Sequence, residues 1–366
     1  MSTLTEAPRK AASAAIPSTV HCGAIISREV VLPGVVEPAG FMLHNRTLDA
    51  PGAGLVLIQV EASGISFAEQ SMRRGRYPGQ PAFPFVPGYD LVGVVVLAGP
   101  DVDPSLIGKR VAALTKTGGW STYALLSADI LLPVPDGIDP AEAETLVVNG
   151  ITAWQMLHRD ARIQRGQTIL VHGANGGVGT ILVQLALHAG VRVIGTASPR
   201  HHDTLRAQGV EPVDYNDPNL AQRLRQLVPD GVDAAFDNVG GTSATISFGL
   251  LKRGGTLICL AIASAKNGTD SVVLKFIGLV AQVIWYNILP NGRRATFYNI
   301  WSGKGSKAFL SRMQEDFAQL MDLLARGVVV PKIAARFPLE QIRVAMELAE
   351  SRTVYGKVIL LPTHKK

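Results

Sequence analysis

Between Thr168 and Gly179 the chain reads Thr-Ile-Leu-Val-His-Gly-Ala-Asn-Gly-Gly-Val-Gly. An apolar run enters Gly173, Gly176, Gly177 and Gly179, and a helical pattern follows at once. Residues of these types in this order make a phosphate site. Gly176 lets the backbone approach a pyrophosphate closely, and Gly179 lets the helix pack against the strand. The N–H groups of the first turn, from Gly177 and Val178 onward, present free donors and the positive end of the helix dipole. Ala174 takes the first glycine position of G-x-G-x-x-G, so the motif is a variant. Its strength lies in the strand before it and the helix after it.

The second strand ends in Val-Ile-Gly-Thr-Ala-Ser-Pro-Arg, residues 193–200. A site for NAD places an acid here to hold the ribose hydroxyls. This chain offers Thr196, Ser198 and Arg200 instead. Hydroxyls and a guanidinium suit a 2′-phosphate, so the expected cofactor is NADPH. Tyr215, closing the third strand, is expected to line the adenosine phosphate. Asn238 and Val239 end a later strand at its carboxyl edge and are expected beside the cofactor ribose.

Elements that could position these groups follow from the pattern of the chain. Residues 21–135 are strand-like with frequent Gly and Pro, the text of an antiparallel β-rich domain. From about 140 to 265, short apolar strands alternate with helices: strands at 168–172, 191–196, 212–215, 232–237 and 256–261, helices at 179–189, 203–208, 217–228 and 243–251. That alternation predicts βαβ units and an α/β, doubly wound parallel sheet. Beyond 305 come helices at 309–326 and 339–350 and strands at 333–337 and 356–361, which predicts a return to the first domain.

Composition narrows the function further. The chain has 366 residues, 47% hydrophobic and 17% charged, enough for two domains with packed cores and no disorder. Its two cysteines, Cys22 and Cys259, cannot form a disulfide framework or a four-cysteine metal knot, which favours a reducing, cytoplasmic setting. A net charge of +6 is spread without a polybasic run, so nucleic-acid binding is not expected. Residues 1–20 are small and polar and read as a loose tail. Phe276–Leu289 is apolar but too short to span a bilayer.

The order of these stretches, with Ala62-Ser-Gly-Ile-Ser-Phe67, Pro84-Phe-Val-Pro-Gly-Tyr-Asp-Leu-Val-Gly93, Asn149-Gly-Ile-Thr-Ala-Trp154, Phe236-Asp-Asn-Val-Gly-Gly241 and Tyr355-Gly-Lys-Val-Ile-Leu360, resembles the medium-chain dehydrogenase/reductase superfamily. The likeness is to its zinc-free, quinone oxidoreductase-like branch. It implies a GroES-like catalytic domain from 21–145 and 305–366, a Rossmann NADP-binding domain from 146–304, a cleft between them and a homodimer. Where zinc-binding relatives carry ligands, this chain has Ser66 and Gly88-Tyr89-Asp90, so no catalytic metal is expected.

Metal-free hydride transfer suits an activated C=C bond or a quinone. The resemblance makes Tyr77, in Arg-Gly-Arg-Tyr-Pro-Gly, a candidate proton donor, with a tyrosine merely packed in its loop as the alternative. Ser66 could touch the carbonyl or the nicotinamide. Thr152 is expected on the nicotinamide side, and Lys357 near the cofactor. Arg293 and Arg294 could meet an acidic substrate. Two further readings stay open: an enoyl thioester reductase, and a protein that holds NADPH without turnover. The aromatic stretch 265–310 could line a substrate pocket or form a dimer interface.

Overall fold

The computed structural model describes residues 24–260 and 272–364; the expected tail and Cys22 lie outside them. The first domain opens with a hairpin of β1 (Ile25–Val31) and β2 (Met42–Leu48). There follow β3 (Leu55–Ile65), α1 (Phe67–Arg73), β4 (Asp90–Ala98), β5 (Arg110–Leu114), β6 (Tyr123–Ser127) and β7 (Leu132–Pro133). Then α2 (Pro140–Thr145) leads into a connecting helix, α3 (Ile151–Trp154), flanked by π-helical turns at Leu146–Gly150 and Gln155–Asp160.

The second domain alternates as its apolar periods require: β8 (Thr168–His172), α4 (Gly177–His188), β9 (Arg192–Ala197), α5 (His202–Ala207), β10 (Glu211–Asp214), α6 (Leu220–Leu227), β11 (Val232–Asp237), α7 (Thr242–Gly249), β12 (Leu251–Cys259), α8 (Val272–Ile288) and β13 (Arg294–Phe297). The chain then runs through α9 (Lys307–Ala325), β14 (Ile333–Pro338), α10 (Ile342–Glu350) and β15 (Lys357–Leu361).

The parallel sheet has the order β10-β9-β8-β11-β12-β13, a doubly wound arrangement that reverses direction beside β8. Both its faces are covered. Ile169, Val171 and Val193 pack with Ile181, Leu182 and Leu185 of α4. Leu170 and Ile194 point the other way, to Leu224, Phe248 and Leu279. Strands buried on both faces are continuous apolar runs, which is why they were readable.

The return to the first domain also holds. Strand β15 pairs antiparallel with β3, and β14 pairs with β15, giving the order β14-β15-β3-β4-β5-β7 with β6 against β3. One apolar cluster runs from Val92 and Ala112 through Leu146 and Ile151 to Ile181 and Phe317, so the two domains share a core.

One helix start and one additional strand differ from the expectation for physical reasons. The helix expected from Asp217 begins at Leu220, because the Asp217 carboxylate accepts from the Asn219 amide at 2.8 Å and closes a turn instead. The sixth strand, β13, was not legible: it is four residues long and begins at Arg294. Among the described residues no helix is long and apolar enough to cross a membrane.

Candidate functional site

The site is a cavity of about 690 Å3 between the domains, lined by Ser66, Tyr77, Tyr89, Thr152, Gly176 to Gly179, Asn238, Trp301 and Lys357 among others. Its floor on the sheet side is the turn after β8. Gly173 has a φ of +66°, a left-handed conformation that a side chain would strain. A Cβ on Gly179 would lie 2.2 Å from the Gly173 carbonyl oxygen, so only glycine lets α4 sit this close to the turn. Gly176 caps α4 without a side-chain hydrogen bond, which leaves the first N–H groups of the helix unpartnered by side chains. A dinucleotide pyrophosphate fits this arrangement: it supplies the anionic oxygens these donors lack. The Asn149 side chain lies against the turn, 2.5 Å from where a Gly177 Cβ would be, and the Asn238 amide lies against Gly173. Neither the approach of Asn149 nor its place in the lining was foreseen from sequence.

Gly356, just before β15, donates from its amide to the Asn175 carbonyl at 3.0 Å, tying the turn to the other domain.

Across the cavity stand three aromatic side chains from distant parts of the chain. The Tyr77 and Tyr89 hydroxyls are 2.6 Å apart, and the Trp301 indole N–H donates to the Tyr89 hydroxyl. Burial raises the Tyr77 pKa above the usual phenol range, and raises that of Tyr89 further. The tyrosines are therefore neutral proton holders at physiological pH. Trp301 belongs to the segment after β13, so its bond to Tyr89 crosses the cleft.

Beneath them lies a buried charge cluster. Lys357 donates to Asp90 Oδ2 at 3.0 Å and to Glu144 Oε1 at 2.8 Å. Burial alone would depress the ammonium, but the two carboxylates outweigh it and hold Lys357 above the usual lysine range. Burial, aided by Asp90, pushes Glu144 well above the usual carboxylate range. Asp90 Oδ2 also accepts from the Val148 amide at 2.9 Å, so the cluster joins β15, β4 and the connecting helix.

The expected residues divide accordingly. Ser66, Tyr77, Thr152, Gly176, Gly177, Val178, Gly179, Asn238 and Lys357 share the cavity lining. Thr196, Ser198, Arg200, Tyr215 and Val239 lie outside it. Several of these side chains are already engaged. Ser66 caps α1: its hydroxyl accepts from the Ala68 amide at 3.1 Å and donates to Glu69. Lys357 lines the cavity, but its ammonium serves the carboxylate pair rather than a ligand. Thr196 is buried, and its hydroxyl meets His172 Nδ1 at 3.1 Å and the Gly173 amide at 3.3 Å. It supports the turn from below and has no hydroxyl to offer a 2′-phosphate.

Arg200 is exposed and donates to the Ser198 hydroxyl at 3.3 Å, while Tyr215 is 49% exposed. Val239 donates its amide to Asp237 at 2.7 Å. Arg293 and Arg294 do not reach the cavity: they donate to the carbonyls of Phe248 and Asp160. The aromatic stretch splits. Phe297, Tyr298 and Trp301 line the cavity, Tyr286 stacks on Phe248 at 3.9 Å, and Trp285 is 60% exposed. The side chain of Lys275 lies outside the described set.

Zinc does not fit this site. Ser66 is a helix cap, Tyr89 is held by two aromatic partners, and no cluster of His, Cys, Asp or Glu among the described residues could hold a metal.

Family models agree with this geometry. The model described as the alcohol dehydrogenase GroES-like domain matches residues 52–136, and that described as zinc-binding dehydrogenase matches 208–360. The human synaptic vesicle membrane protein VAT-1 homolog is 30% identical over 326 residues, covering 87% of this chain and 81% of that protein. A mycobacterial protein solved in complex with NADPH aligns with a TM-score of 0.78 at 27% identity, over 92% of this chain and 100% of that one. A quinone oxidoreductase from Pseudomonas syringae aligns with a TM-score of 0.78 at 26% identity, again over 92% and 100%. The chain belongs to the medium-chain dehydrogenase/reductase family, in its quinone oxidoreductase-like branch.

Proposed function

We propose that the protein is an NADPH-dependent, zinc-independent reductase of activated C=C bonds or quinones. The observation that carries this reading is the meeting, in one cavity, of a glycine turn fit for a pyrophosphate and a half-buried phenol, Tyr77, whose pKa is raised so that its proton is retained. When bound, NADPH supplies a hydride. The α4 N-terminus holds the pyrophosphate, while Ser198, Arg200 and Tyr215 hold the 2′-phosphate at the exposed end of the sheet. Thr152 and Asn238 flank the nicotinamide and ribose.

Tyr77 donates the proton. The indole N–H of Trp301 occupies one lone pair of the Tyr89 oxygen. Either hydroxyl can donate in the Tyr77–Tyr89 bond, and in this reading it is Tyr89 that donates to Tyr77. That leaves the Tyr77 proton directed at the substrate oxygen or the α-carbon beside it. Lys357, Asp90 and Glu144 act from behind, fixing β4 and β15 under the cavity.

A deuterium experiment tests the reading. Incubation of a 2-alkenal with NADPH deuterated at the transferable C4 position should place deuterium on the β-carbon, read by NMR. Label at the carbonyl carbon would mean carbonyl reduction, and would remove the C=C assignment. The enoyl thioester alternative loses Arg293 and Arg294 as its anion site, since both are engaged elsewhere.

A cytoplasmic homodimer accompanies this reading. Ile277, Ile284, Trp285 and Ile288 leave an apolar stripe exposed on α8, next to the edge strand β13, which supports association. Sedimentation equilibrium giving a monomer would remove it.

A further inference from the structure

The charged lining of the cavity has one sign. Among its described residues are Arg74, Arg76, Lys116, Lys304 and Lys357, and no carboxylate. Lys357 is neutralised by Asp90 and Glu144, and Arg74 meets Glu350 at 2.7 Å. Lys116 and Lys304 differ. The Lys116 ammonium donates to the Gly79 carbonyl at 2.7 Å, and that of Lys304 stands 4.7 Å from the centroid of the Trp301 ring. A carbonyl or a ring face leaves an ammonium with spare donors and an uncancelled charge.

Both lysines are anchored on the aromatic trio. The Lys116 amide donates to the Tyr89 carbonyl at 3.0 Å, and its side chain reaches the loop that carries Tyr77. Its backbone has a φ of +70°, a left-handed conformation that costs a non-glycine residue about 1 kcal/mol or more. Such a conformation persists only where the surroundings fix it. Lys304 approaches from the other domain on Trp301, the residue that donates to Tyr89. One cation thus stands on the loop that carries Tyr77 and the other on the ring that donates to Tyr89, on elements separate from the glycine turn that has its own donors for the pyrophosphate.

We infer that the substrate carries, besides its reducible group, an anionic oxygen group, a carboxylate or a phosphate, which Lys116 and Lys304 hold at the rim of the cavity. The inference rests on the reductase reading and names the substrate class for that site.

Paired probes test it. One pair is a 2-alkenal and the same chain ending in a carboxylate. The other is the N-acetylcysteamine thioester of crotonic acid and crotonyl-CoA, which differ in phosphate. For the favoured pair, kcat/KM of the anionic member should exceed that of its neutral partner by about tenfold at low salt. That ratio should shrink toward one at high salt. Each of Lys116→Gln and Lys304→Gln should lower it about fivefold, the upper range for a partly exposed ion pair. Lys304→Glu should invert it.

A ratio near one for both pairs in the unaltered protein would overturn the inference, as would a ratio unmoved by either substitution. Weakened NADPH binding with the ratio intact would assign the lysines to the cofactor's phosphates and overturn it as well. If no probe, neutral or anionic, is turned over, the reductase reading fails separately. Calorimetric titration of the same pairs onto the NADPH-loaded protein then decides the anion preference by the same ratio.

Discussion

The two sides of the cavity are built differently. On the sheet side, the lining is backbone: consecutive residues of one turn present N–H groups, and glycines keep side chains out of the way. On the opposite side, the lining and its support are side chains from far apart in sequence: Tyr77, Tyr89 and Trp301 in one group, Asp90, Glu144 and Lys357 in the other. A backbone site tolerates side-chain change wherever there is space. A side-chain site fails when one partner is removed and another is left buried without compensation.

The sharpest test of that contrast is Lys357→Met. Removing the one cation of a buried cluster leaves two carboxylates facing each other, a loss of about 3–5 kcal/mol in stability. Glu144 already has a raised folded pKa, so its stabilising contribution is present at low pH and lost as pH rises through that raised value. Without Lys357 this sensitivity grows. Thermal unfolding of the variant should recover part of the loss between pH 8 and pH 5, which a merely cavity-forming substitution would not do.

Tyr77→Phe should come next, with kcat down about a hundredfold while NADPH affinity is retained. Because burial raises the Tyr77 pKa, the unaltered enzyme should show no loss of donor through neutral pH, and its alkaline limb should lie above the usual phenol range. An unchanged rate in the variant would remove Tyr77 from the chemistry.

On the backbone side, Gly179→Ala and Gly177→Ala form a pair. A Cβ at 179 meets a backbone carbonyl, which cannot move away, whereas a Cβ at 177 meets the end of the Asn149 side chain, which can. Gly179→Ala should cost about 1–3 kcal/mol and most of the cofactor affinity, with Gly177→Ala clearly milder. Equal losses would mean that the two contacts do not differ as the geometry says. Arg200→Ala should weaken NADPH binding about tenfold and leave NADH binding nearly unchanged, since only the former carries a 2′-phosphate. Trp301→Phe should have the smallest effect, about fivefold on kcat, because one hydrogen bond to Tyr89 is lost while the ring remains.

The same division explains what could be read from the chain. The strand, glycine turn and helix at 168–188 are contiguous, and their periodicity is intrinsic to a sheet buried on both faces. The return of the last strand to the first domain was also legible, through the pattern at 356–361 and the resemblance that accompanied it. The aromatic trio was not. In the sequence Tyr89 is only a residue standing where a metal ligand could be, and Trp301 only one aromatic among several. Nothing local announces that residues 89 and 301 touch. Thr196 was read from its place at a strand end, yet a strand's alternation turns that side chain inward, where it bonds His172. Ser66 is expected at the carbonyl or the nicotinamide and does line the cavity, but Ser-Phe-Ala-Glu also spells a capping box, and the helix uses it as one.

The central claim is that these two sides cooperate in one metal-free reduction. It is tested most directly by NADPH oxidation at 340 nm against a 2-alkenal, a cyclic enone and 1,4-benzoquinone, each in the presence of EDTA. Turnover that persists with EDTA and falls in Tyr77→Phe is the expected result. Tight NADPH binding with no oxidation of the cofactor by any of them would contradict it, and would leave a protein that holds the dinucleotide without using it.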